Sequence, residues 1–66
     1  MKKNLLKSKM ALHGDTGASL AEYLGIAQNT FSLKLNGDAV FTQSEIKKIK
    51  EKYNLSSEEI DEIFLS

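Results

Sequence analysis

An all-α domain of five short helices, with no strand, is what this sequence predicts. Apolar residues recur at three- and four-residue spacing in five successive segments, as they do along the buried face of a helix. Hydroxyl residues stand in capping positions ahead of several of these segments, and two of them open a full capping box. Proline is absent, and Gly14, Gly25 and Gly37 fall at the expected helix ends. These local signals agree on one compact helical bundle spanning residues 1–66.

The first helix is expected from Lys3 to Leu12, with Leu5, Leu6, Met10 and Ala11 apolar and Lys2, Lys3, Lys7 and Lys9 outside. His13-Gly14 ends it. Thr16 is the N-cap of the second helix, Gly17 falls in its first turn, and Leu24 ends it before Gly25. The third helix covers about Gln28 to Asn36. After it, the loop Gly37-Asp38-Ala39-Val40-Phe41 carries an aromatic expected to fold back into the core. Thr42-Gln43-Ser44-Glu45 and Ser56-Ser57-Glu58-Glu59 have capping-box spacing and open the fourth helix (Gln43 to Tyr53) and the fifth (Ser57 to Phe64). Ile46, Ile49 and Tyr53 form the core stripe of the fourth. Ile60, Ile63 and Phe64 do so for the fifth, and Leu55 packs in the connection.

Sixty-six residues leave no room for a deep catalytic pocket, and a chain this short buries only about 60% of its unfolded surface. Its stability is therefore a few kcal/mol, on the order expected of a small core. Without cysteine, neither a disulfide nor a zinc–thiolate site can staple it. No apolar run approaches a membrane span, and the lysine-rich start lacks the hydrophobic stretch of a signal peptide, so a cytoplasmic protein without membrane contact is expected. Nine lysines balance nine acids, and there is no arginine. Yet residues 1–50 hold eight lysines against four acids, while residues 51–66 hold one against five. A basic body thus carries an acidic tail, which also reads simply as a solvated helix face.

The segment from Asp15 to Gly37 carries the functional information. Leu20, Ala21 and Leu24 define one helix, and Phe31 and Leu35 the next. Gly25, at the turn between them, can take the left-handed conformation that lets the second helix leave steeply. Ala21 is small where the helices must cross, and Ile26 and Phe31 can plug the angle. This is the pattern of a helix-turn-helix, whose second helix enters the major groove of DNA.

The motifs L-A-E-Y-L-G-I, T-F-S-L-K-L-N-G, F-T-Q-S-E-I and L-S-S-E-E-I-D-E-I-F follow one another through nearly the whole chain. In order and spacing they resemble the small phage helix-turn-helix proteins of the lambda-repressor/Cro superfamily. That resemblance implies a five-helix bundle of the lambda-repressor/Cro type, a bacterial host cell, and a part in the choice between lysis and lysogeny. Relatives of this kind include operator-binding repressors, Cro-type proteins and short modulators that bind the repressor itself.

Carried onto this chain, the resemblance implies that Gln28 and Asn29 reach base edges. Their amides can pair with adenine N6 and N7, worth about 1–3 kcal/mol of discrimination; as ordinary polar residues they simply solvate a first helical turn. Thr30 and Ser32 can bond a phosphate or touch a thymine methyl, Lys34 suits a phosphate, and Asn36 lies where backbone amides approach the strand. Gly17 departs from the glutamine common at that place, Ala27 from the usual Ser or Thr cap, and Leu33 from the usual Arg or Gln. Leu33 can pack on a thymine methyl or anchor a protein. With no arginine and no net charge, few phosphate contacts and a shallow salt dependence are expected.

Two functions compete. One is a Cro-like regulator binding double-stranded operator DNA through helix 3, as a homodimer with recognition helices about 34 Å apart; Val40, Phe64 and Leu65 lie where such a dimer can form. The other is an antirepressor that binds the basic DNA-binding domain of the phage repressor through Leu33 and through its acids, Asp15, Glu22 and Asp38 or those of the tail. His13 reads as an imidazole at a helix C-terminus rather than a catalytic base. Glu58, Glu59, Asp61 and Glu62 read as N-terminal charge bias and solvated face rather than a cation site. With no Ser/His/Asp grouping, P-loop or GxGxxG, neither an enzyme, a metal nor a cofactor is expected.

Overall fold

Capping chemistry divides the chain into its helices. In the computed structural model, which describes residues 1–65 and leaves Ser66 outside, α1 runs Lys3–Leu12, α2 Gly17–Leu24, α3 Gln28–Leu35, α4 Gln43–Tyr53 and α5 Ser57–Phe64. No strand occurs among the described residues. The boundaries match the sequence expectation, except that Asn36 is the C-cap of α3 rather than its last residue.

Three helices begin with a reciprocal capping box: Thr16 with Ser19, Thr42 with Glu45, and Ser56 with Glu59. The first of these was hidden in the sequence, because its return partner is a serine hydroxyl instead of a carboxylate. Ser19 Oγ accepts from the Thr16 amide at 2.9 Å, while Thr16 Oγ1 accepts from the Ser19 amide at 3.1 Å. At the other end of α2, Gly25 adopts φ 77°, and the Ile26 amide donates back to the Ala21 carbonyl at 3.0 Å. Asn54 closes α4 in the same left-handed region, at φ 52°, which asparagine tolerates because its short amide can bond locally.

These ends fold the helices onto one core. Leu6, Leu20, Phe31, Ile49 and Ile63, one from each helix, are almost completely buried. Phe41 returns from the α3–α4 loop into the same cluster and sits edge-on between Phe31 and Phe64, with ring centroids 5.9 and 5.4 Å away. Leu55 is buried in the α4–α5 connection, as its position suggested. Helices α2 and α3 pack on each other, as do α1 and α5. The start of the chain is pinned to α5 by a 2.8 Å bond from the Lys2 amide to the Ile63 carbonyl. The whole measures 27 × 24 × 20 Å.

Gly17 is a weak point that substitution can mend. It occupies the first position of α2, and a Cβ there would meet only the Phe31 ring, at 3.7 Å, an ordinary van der Waals contact. Gly17→Ala is expected to stabilise the domain by about 0.4–1 kcal/mol, by narrowing the unfolded ensemble and by packing the new methyl on the Phe31 ring. Thermal unfolding followed by circular dichroism should show a midpoint higher by about 3–6 °C; an unchanged or lower midpoint would refute this.

Candidate nucleic-acid interface

Helix α3 is held by its inner side and open on its outer side. Phe31 is buried, the stem of Lys34 is buried beside it, and Thr30 and Leu35 are half-buried. The exposed residues are Gln28, Asn29, Ser32 and Leu33, followed by Asn36 at the cap. At 100° per residue these five occupy one arc of about 140°, so they form a single face. Among the described residues, Gln28, Asn29 and Ser32 make no side-chain hydrogen bond, so their amide and hydroxyl groups are unengaged. Leu33, 43% exposed, lies on the edge of the same arc. Ala27 provides no side-chain cap for α3, in contrast to α2, α4 and α5.

Lys34 corrects the sequence expectation. It does not stand free for a phosphate: its ammonium donates to both carboxylate oxygens of Glu45, at 2.5 and 2.6 Å, and its side chain is only 11% exposed. Glu45 also accepts from the Thr42 amide at 2.8 Å, so one carboxylate completes the cap of α4 and ties α3 to it. Burial by itself would raise the Glu45 carboxyl. The Lys34 ammonium and the Thr42 amide outweigh it and hold the group below the ordinary glutamate value. Lys34 is the one ionisable side chain of α3, so the outer face of this helix carries no unpaired charge.

Asp15, expected on a partner-binding surface, is likewise engaged within the fold. The Tyr53 hydroxyl donates to Asp15 Oδ2 at 2.6 Å, the Ser19 hydroxyl donates to Oδ1 at 2.8 Å, and Lys52 Nζ lies 3.6 Å away. The bond from Tyr53 is the main reason that its carboxyl titrates below the ordinary aspartate value; burial opposes it, and Ser19 and Lys52 assist. In turn, burial and the Asp15 carboxylate push the Tyr53 phenol well above its usual range. His13 caps α1 and stacks on the Tyr53 ring at 4.7 Å, and Lys52 lies 4.6 Å above the Tyr23 ring. This cluster joins the α1–α2 connection to the end of α4. Its members bond and stack on one another within the fold, so it is structural.

Glu22 and Asp38, the other two acids expected at a protein contact, are exposed. Asn36 accepts a bond at Oδ1 from Lys3 Nζ, 3.2 Å away, a contact between residues far apart in sequence. Val40 and Leu65 are 84% and 77% exposed, whereas Phe64 is half-buried against Phe41. An open groove of about 630 Å³ lies between α4 and α5, with Ile46, Ile60 and Phe64 in its wall. No group of residues suited to a metal ion occurs among the described residues, and none of their helices is long and apolar enough to cross a membrane.

Comparison with family models, with curated proteins and with solved structures finds no match to this chain.

Proposed function

We propose that the chain is a Cro-like transcription regulator of a phage lysis/lysogeny switch, reading operator DNA through the outer face of α3. One observation carries the proposal: Gln28, Asn29, Ser32 and Asn36 share one exposed arc of a helix anchored from behind by Phe31 and Lys34. Amides on such a face can bond adenine edges in two places at once, and hydroxyls can bond phosphate or base. The close packing of α2 on α3 across the Gly25 turn supports a helix-turn-helix. A helix with no unpaired charge reads bases more than it grips backbone, so affinity from a single copy is modest and a homodimer on two half-sites fits the chemistry. The phage setting comes from the motif resemblance.

A second reading has its own observation. Leu33 is exposed on the same arc, no free cation accompanies it on α3, and Glu22 and Asp38 are exposed. An exposed apolar anchor, with Asp38 bonded through its amide to the Leu33 carbonyl, suits the basic DNA-binding domain of a phage repressor, which an antirepressor would occupy.

Titrating the pure protein on a labelled duplex from the early-promoter region of its phage separates the two. Gln28→Ala and Asn29→Ala are each expected to weaken specific binding by about 5- to 150-fold, the equivalent of one bidentate contact of about 1–3 kcal/mol. Binding to a scrambled duplex should barely change. Operator affinity retained in both variants would overturn the residue assignment. No DNA binding, together with release of the repressor from its operator, would transfer the function to the antirepressor and to Leu33.

A further inference from the structure

The geometry points to Lys3, at the start of α1, as the cation that grips the DNA backbone beside α3. This rests on the DNA-binding reading and deepens it, since it names the phosphate contact that α3 itself lacks. The one lysine of α3, Lys34, is taken up by Glu45. Lys3 lies 33 positions before Asn36, yet its ammonium donates to Asn36 Oδ1 at 3.2 Å. The fold therefore sets a positive charge at the C-terminal edge of the outer arc.

An ammonium carries three N–H donors. One is directed at Asn36, which leaves two for an anion, and Lys3 is exposed. Lys7, also exposed, follows by four residues and so shares its face of α1, extending the positive stripe by one turn. The position is not that of a loose arm, because the Lys2 amide bonds the Ile63 carbonyl and holds the start of α1 on α5. Nor does α1 explain the charge. Its first turn has no acid and no side-chain cap, and a cation at a helix N-terminus opposes the helix dipole. A phosphodiester within reach of Lys3 would offset that repulsion. Such a contact positions the protein on the duplex and carries no sequence information.

The test measures binding of the wild type, Lys3→Gln, Lys3→Arg and Lys47→Gln to operator and scrambled duplexes between 50 and 200 mM salt. For Lys3→Gln, the slope of log affinity against log salt should become shallower by about 0.9, the loss of one phosphate contact. Both duplexes should weaken by the same factor. Lys3→Arg should restore the slope, and Lys47→Gln, which removes a charge at the α4–α5 groove, should leave it unchanged. Because Lys3→Gln relieves an unfavourable dipole contact, its unfolding midpoint should not fall, and weaker binding then cannot be attributed to unfolding. An unaltered slope in Lys3→Gln, in a protein whose operator binding still depends on Gln28, would overturn the role of Lys3 alone. Failure of the wild type to bind either duplex would overturn it together with the DNA-binding reading.

Discussion

Glu45→Ala is expected to destabilise the domain by about 3–5 kcal/mol, comparable to the whole stability of a chain this small. The carboxylate it removes has two duties. It neutralises the Lys34 ammonium, which is nearly enclosed, and it accepts from the Thr42 amide at the head of α4. Loss of the return bond to the Thr42 amide costs about 0.5–1.5 kcal/mol, while Thr42 itself still caps α4. Loss of the pair leaves an ammonium beside the core without its counter-charge, and that is the larger part. Adding Lys34→Met to Glu45→Ala should recover much of the loss, since methionine fills the volume of the lysine stem without a charge. Urea unfolding of the two single variants and the double variant at 25 °C measures the coupling. If Glu45→Ala lies within 0.5 kcal/mol of wild type, on the order of a neutral surface change, the pair contributes nothing.

The same pair makes stability depend on acid. Glu45, Asp15 and Glu59 all titrate below their ordinary values in the folded protein, Glu59 at about 2 through its bonds from Lys9 and the Ser56 amide. A carboxyl depressed by folding adds stability that is present above its unfolded value and lost as pH falls through its folded value. Stability should therefore decline from about pH 4.5 downward. Glu45→Gln should show a shallower decline over that range, because one of the three linked groups no longer titrates. Tyr53 acts in the opposite direction. Its phenol is raised by burial and by Asp15, so its contribution is intact at neutral pH and lost only in strong alkali.

Local chemistry made the helices legible, whereas long-range pairing stayed hidden. Thr42 with Glu45, and Ser56 with Glu59, announce their helices within four residues, and Gly25 announces a turn by its own conformational freedom. Phe41 was readable as a core residue because a lone aromatic in a polar loop has few other places to go. That the Glu45 which caps α4 also captures Lys34 was not readable, since the pairing depends on how α3 lies against α4. Lys34 therefore looked like a surface cation at the right spacing. Asp15 with Tyr53 and Lys3 with Asn36 are 38 and 33 positions apart, beyond any local signal. The outer arc of α3 was legible in part for the converse reason: once Phe31 and Leu35 are assigned to the core, helical periodicity directs Asn29, Leu33 and Asn36 outward, whereas Gln28, three and seven residues before those core positions, was placed at the surface by the motif resemblance and is exposed because it stands in the first turn.

Phe31→Ala should cost about 3–5 kcal/mol and leave little folded protein at room temperature. Phe31 is 1% exposed, contacts the Phe41 ring edge-on, and forms the floor beneath Gly17, so it joins α2, α3 and the α3–α4 loop at one point. Truncation removes its buried area and leaves a cavity that three short elements cannot close without shifting α3. Phe31→Leu keeps most of the volume and should cost under about 1.5 kcal/mol, with the loss confined to the edge contact and an imperfect fit. Urea unfolding distinguishes the two variants. In Phe31→Leu the Gly17→Ala gain should also shrink, because the new methyl would then face a smaller side chain; the two changes share a contact and should not add. Additive effects would show that Phe31 is not the element on which the start of α2 rests, and would place the anchor of the α3 face elsewhere.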